Sequence, residues 1–156
     1  MQTKPMFLTV EGQDKILKEL DYLRAVRRRE VAERIRNAAE LLDGYDSPEY
    51  IDAKSEQAFV EGRILTLERI LGEAVIVQDD PEDHEAVHIG SHVSVIDEDG
   101  EIEEFSIVGS PESDLRRRKI SNESPVGNAL MGRKVGDQLA IPVPSGVRNL
   151  RIVAIS

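Results

Sequence analysis

Leu42-Asp43-Gly44-Tyr45-Asp46-Ser47-Pro48 decides the fold, because these turn-forming residues interrupt an otherwise helical sequence. Upstream, Leu17, Leu20, Leu23, Val26, then Val31, Ile35, Ala38 and Leu42 recur at three- and four-residue steps, with one five-residue step from 26 to 31. No Pro or Gly falls between Gln13 and Asp43. This spacing predicts one apolar stripe on a helix of about 30 residues, with the Thr9 hydroxyl able to cap its first turn. Downstream, Ala53, Gln57, Val60, Ile64, Leu67 and Leu71 alternate steps of four and three, the pattern of a helix lying along a partner. So short a turn makes the two helices antiparallel neighbours. The result is a hairpin of roughly 45–50 Å with carboxylates at its tip.

Gly72 and the β-branched run Ala74-Val75-Ile76-Val77 end the helical pattern, and Asp79 to Glu85 is an acidic, Pro-containing linker. The boundary is therefore placed between a hairpin domain, 1–78, and a second domain, 79–156. Short alternating or apolar runs follow at 87–89, 92–96, 104–108, 138–143 and 150–155, with turn signals at Asp99-Gly100 and Ser145-Gly146. Ser124 through Gly132 reads as one short helix, with Ser124 as cap, Pro125 at the first helical position and Gly132 closing it. The fold class is α+β: a helical hairpin, then a small antiparallel sheet with one short helix.

Composition narrows the function. The 156 residues carry a net charge of −10, which argues against sequence-independent binding to nucleic acid, a process that needs many phosphate-neutralising side chains. Residues 24–36 nevertheless hold six Arg against two Glu, a basic band near an acidic tip. There is no cysteine, hence no disulfide, thiolate metal site or Cys nucleophile. No long apolar run or signal-peptide pattern is present, so the expectation is a soluble, cytoplasmic protein with no membrane partner.

Each charged motif has a structural alternative. Asp46 can cap the second helix, with Glu49 three residues on completing a capping-box-like pair and Pro48 tolerated in the first turn. The Arg band can be a solvated helix face, helped by Glu30 pairing with Arg34 at i+4. Arg116-Arg117-Arg118-Lys119 is a second basic run, read as a loop at a partner interface. His84, His88 and His92 have helical metal-stripe spacing, but Gly90 and the β-rich context break such a helix. No catalytic triad order, phosphate loop or HExxH pattern appears.

Glu19-Leu20-Asp21-Tyr22-Leu23, the stretch Asp43 to Gln57, Glu61-Gly62-Arg63-Ile64, Lys119-Ile120-Ser121-Asn122-Glu123-Ser124-Pro125 through Gly132, and Val135-Gly136-Asp137 together resemble the Gre family of bacterial transcript cleavage factors. The resemblance covers nearly the whole chain. It implies a coiled-coil hairpin followed by an FKBP-like domain that docks on bacterial RNA polymerase, with Asp114, Ser124 and Pro125 as docking positions. It implies that the protein is not an enzyme but enters the secondary channel and stimulates the polymerase to cleave backtracked transcripts. Asp43 and Asp46 fall on the tip carboxylates, catalytic and metal-ligating, that help hold a second Mg²⁺ shared with the polymerase. Arg28, Arg29, Arg34, Arg36 and Lys54 become an RNA-facing basic patch for the transcript 3′ end, with nucleic-acid contact only in that context, and the protein acts as a monomer.

The tip departs from the family pattern. The second carboxylate is usually Glu, and Asp46 is one methylene shorter. A basic residue usual four positions before the first carboxylate is replaced by Ala39. An Asp-rich tip with a central Tyr45 resembles instead the Gre-like antagonists, which occupy the same channel and inhibit without stimulating cleavage. A third reading is a chaperone or prolyl isomerase module resting on the FKBP-like domain, for which 4% aromatics furnish few pocket-lining residues.

Overall fold

The computed structural model describes residues 4–78 and 83–156. By packing, Asp14–Glu73 form one unit, and Met1–Gln13 join Ala74–Ser156 in the other. The acidic linker read at 79–85 lies partly outside the described residues.

In the helical unit, α1 (Val10–Tyr22) runs through a π turn (Leu23–Arg27) into α2 (Arg28–Ala39), and α3 (Pro48–Glu73) returns beside them. Ile16, Leu20, Leu23, Val31 and Ala38 are buried on the first arm; Ala53, Val60, Ile64, Leu67 and Ile70 are buried on the second. The five-residue step in the sequence has a structural cause. At the π turn Arg28 N–H donates to the Leu23 carbonyl five residues back, so one extra residue is absorbed and the helix face shifts phase. The predicted stripe is corrected accordingly. Leu17 and Val26 are exposed, and Arg27 lies half-buried in their line. Leu42 is exposed because α2 ends at Ala39, before reaching it.

Thr9 caps α1 as expected, its hydroxyl oxygen accepting from Gly12 N–H at 3.0 Å. Glu112 adds a second fastening: its carboxylate accepts from the Thr9 amide at 2.8 Å, from the Thr9 hydroxyl, and from Gly109 N–H at 3.2 Å. A β-carbon on Gly109 would stand 1.7 Å from the Phe7 carbonyl oxygen, so only glycine allows the approach. Two strands not read from the sequence belong here, β1 (Phe7–Thr9) and β2 (Val75–Val77), which pair in parallel.

The main sheet contains β3 (His92–Ile96), β4 (Ile102–Val108), β5 (Lys119–Ser121), β6 (Gln138–Val143) and β7 (Gly146–Ile155), in the order β5-β4-β3-β7-β6. It is antiparallel except at one edge, where the three-residue β5 pairs in parallel with β4. The opposite edge strand, β6, accommodates Pro142, which an interior strand would not. Both expected hairpins form, and Asp97 fastens the first by accepting from the Asp99 and Glu101 amides, each at 2.9 Å. Alternate residues Val93, Val95, Phe105, Ile107, Leu139, Ile141, Leu150 and Ile152 form the core, closed by Leu130 of α4 (Pro125–Leu130). Val87-His88-Ile89 is not a strand; Val87 and Ile89 are core residues on an irregular segment.

Candidate functional site

The turn of the hairpin is built by backbone hydrogen bonds. Gly44 N–H donates to Leu41 at 2.8 Å, Asp46 N–H to Asp43 at 3.0 Å and Ser47 N–H to Gly44 at 3.1 Å. Gly44 takes φ +49°, a left-handed conformation that glycine adopts at little cost. These bonds fold Asp43 and Asp46 into one tight turn. Ser47 closes it: the buried hydroxyl donates to the Gly44 carbonyl at 2.8 Å and accepts from Tyr50 N–H at 3.1 Å.

That last bond makes Ser47 the N-cap of α3, with Pro48 at its first position. The alternative reading of Asp46 as the cap, completed by Glu49, is therefore set aside. Among the described residues, neither Asp43 nor Asp46 has an ion pair or side-chain hydrogen bond, and both are exposed. No group of three or more His, Cys, Asp or Glu side chains that could hold a metal occurs among the described residues. Two hard oxygen donors suit Mg²⁺, which keeps several waters and accepts few protein ligands. Asp43 and Asp46 thus fit as a partial ligand pair.

Between the two arms of the shaft, several carboxylates are engaged by arginine, while Asp21, Glu33, Glu40 and Glu49 have no ion-pair partner among the described residues. Arg24 meets Glu68 at 2.5 Å, Arg28 grips Glu61 with two bonds of 2.7 Å, and Arg63 grips Glu19 with bonds of 2.8 and 3.0 Å. Glu56 is shared by Arg27 and Arg34, and Arg34 also reaches Asp52 at 3.1 Å. Glu30 pairs with Arg27 at 2.6 Å, not with Arg34 as its spacing suggests, because Arg34 is held by α3. The hydrogen bond from Arg28 holds the Glu61 carboxyl below its usual range, and Glu61 in turn raises the Arg28 guanidinium.

This sorts the expected basic patch. Arg28 and Arg34 are bound to carboxylates of α3, and Lys54 donates to Gln57 Oε1 at 2.7 Å. Among the described residues, Arg29 and Arg36 are exposed and without an ion-pair partner. Seven residues apart, they share one face of α2, about 10 Å apart along the axis. The acceptors Asp52, Glu56 and Glu61 were not singled out from the sequence. Their signal was available in the opposed registers of an antiparallel hairpin, since residues facing each other on the two arms have numbers of nearly constant sum.

In the sheet unit, Ser124 Oγ accepts from Gly127 N–H at 3.1 Å and donates to the Ser121 carbonyl at 2.7 Å, so it caps α4 as read. Pro125 is exposed at the first helical position. Asp114 Oδ1 accepts from Arg116 N–H at 3.1 Å, while Asp114 Oδ2 lies 3.8 Å from Arg117. Arg118 has φ 59° and its guanidinium lies 5.9 Å from the Phe105 ring centroid. The loop is closed by the backbone bridge between Asp114 and Lys119, whose two hydrogen bonds are each 2.9 Å. His88 and His92 face Ser91 and Ser106, at 3.0 and 2.7 Å.

Comparison with known proteins gives consistent matches. A family model described as "Transcription elongation factor, N-terminal" matches residues 6–76, and one described as "Transcription elongation factor, GreA/GreB, C-term" matches 82–156. The chain is 47% identical to "Transcription elongation factor GreA" of Thermoanaerobacter pseudethanolicus, covering 98% of each chain. It is 48% identical to the protein of the same name in Clostridium novyi, covering 98% of this chain and 97% of that one. Among solved structures, GreA factor homolog 1 (Gfh1) of Thermus thermophilus is 35% identical over 98% of this chain and 99% of that one, with a TM-score of 0.44.

Proposed function

Because the chain belongs to the GreA/GreB family of transcription elongation factors, we propose that it acts through the turn of its hairpin, where Asp43 and Asp46 supply ligands to a metal site completed by RNA polymerase. The protein is a transcription elongation factor that stimulates transcript cleavage by the polymerase and is not itself an enzyme. The observation carrying the proposal is the build of the turn: backbone hydrogen bonds hold Asp43 and Asp46 three residues apart at its exposed end, and Ser47 takes the capping role, so both carboxylates stay without an ion-pair or side-chain partner among the described residues.

Asp43 and Asp46 would hold Mg²⁺, whose chemistry in such a site is to activate water and to neutralise the leaving oxygen. Ser47 fixes the turn, so neither carboxylate is diverted to capping. Arg29 and Arg36 contact phosphates of the displaced RNA 3′ segment, with Lys54 beside the turn on α3; Arg28 and Arg34 support them by holding the two arms together. In the sheet unit, exposed Pro125, the Ser124 cap before it and the loop around Asp114 form the docking surface for the polymerase, entered at its secondary channel. The protein works as a cytoplasmic monomer. Among the described residues, no helix is long and apolar enough to cross a membrane.

The antagonist reading has less support. The relatives at 47–48% identity over nearly the whole chain are named transcription elongation factor GreA. The two readings part in one assay. Purified protein is added to a backtracked elongation complex at several Mg²⁺ concentrations, and the transcript 3′ end is followed. Short 3′ fragments that disappear with Asp43→Asn support cleavage; intact RNA with slowed nucleotide addition supports the antagonist.

A further inference from the structure

Tyr45 stands between the two turn carboxylates with 71% of its surface exposed, so it contributes little to the hairpin seam. Its ring is nevertheless braced. It meets Tyr50 edge to face, with centroids 5.0 Å apart and planes at 90°, an arrangement that aromatic pairs favour. A large ring is thus held in solvent one residue from Asp46 and two from Asp43.

Unpaired RNA bases are held by aromatic rings that stack on them, and phosphates by cations. A ring set between two carboxylates has no use for the phosphate but offers a platform to the base attached to it. The only single-stranded nucleic acid that the proposed site addresses is the 3′ end of a backtracked transcript. We infer that Tyr45 stacks on the unpaired base at that 3′ end and gives the factor a preference for purines, whose larger face stacks more strongly. This inference rests on the function proposed above.

The test uses elongation complexes backtracked by one nucleotide and carrying 2-aminopurine at the RNA 3′ end, whose fluorescence falls on stacking. Wild-type protein and Tyr45→Phe quench it; Tyr45→Ala and Tyr45→Leu do not. Cleavage by the last two falls about 5- to 150-fold and loses its dependence on the 3′ base. Asp43→Asn stops cleavage yet keeps the quench, separating stacking from chemistry. If Tyr45→Ala quenches and cleaves like wild type, stacking is overturned while the proposed function stands. If Tyr45→Ala weakens polymerase binding equally with and without transcript, the ring contacts protein and stacking is overturned again. If wild type neither quenches nor cleaves, the function and the stacking fall together.

Discussion

Carboxylates that bridge the two arms of the hairpin and carboxylates at its turn have the same chemistry in opposite circumstances. Glu56 is shared by two arginines and Glu61 is gripped by two nitrogens of one, while Asp43 and Asp46, at the end of the same hairpin, have no such partner among the described residues. A carboxylate already neutralised by guanidinium has little left to offer a metal ion. One held in a tight turn without a counter-ion is ready to take one. The same sorting applies to the cations: Arg28 and Arg34 hold the arms, and Arg29 and Arg36 have no ion-pair partner among the described residues.

The sharpest way to break this contrast is Asp43→Asn. Stimulated cleavage should fall on the order of 10²–10³-fold with the melting temperature unchanged; a large loss of stability instead would mean that the turn carboxylate is structural after all. Glu56→Gln should do the reverse, costing about 1 kcal/mol of stability that high salt reduces, and a double-mutant cycle with Arg34 would measure the coupling. Ser47→Ala should also cost about 1 kcal/mol, whereas Asp46→Glu should leave thermal unfolding where it was, because Asp46 caps nothing. A small effect that depends on pH belongs to Glu61→Gln. Its folded carboxyl is held low by the Arg28 hydrogen bond, so the pair's contribution is present above the unfolded glutamate value of about 4.3 and disappears as pH falls through the lower folded value. Melting curves of Glu61→Gln and wild type, slightly apart at neutral pH, should converge in acid.

Much of this was legible beforehand where periodicity was long. The two arms, the slip between 26 and 31, and four of the five main-sheet strands follow from repeating apolar positions. Strands of three residues carry no period, which is why β1, β2 and β5 escaped. Their pairing depends on neighbours distant in sequence, such as Glu112 reaching Thr9. At the turn, sequence offered two adjacent cap-competent residues, Asp46 and Ser47. The deciding signal was present: a Ser before a Pro at the first helical position, the same pair correctly read at Ser124-Pro125. Which arginines stay free was harder to see, since it depends on the register between arms and not on either arm alone.

The π turn at Leu23–Arg27 also works as a phase setting. Successive residues of an α-helix are rotated by about 100° around its axis, so one residue taken out of this turn would rewind everything from Arg28 to Ala39 by that angle. Val31 and Ala38 would leave the seam, and Arg29 and Arg36 would swing to a different bearing. A single surplus residue, some fifteen positions before Asp43, thus determines the azimuth at which the basic track reaches the acidic turn.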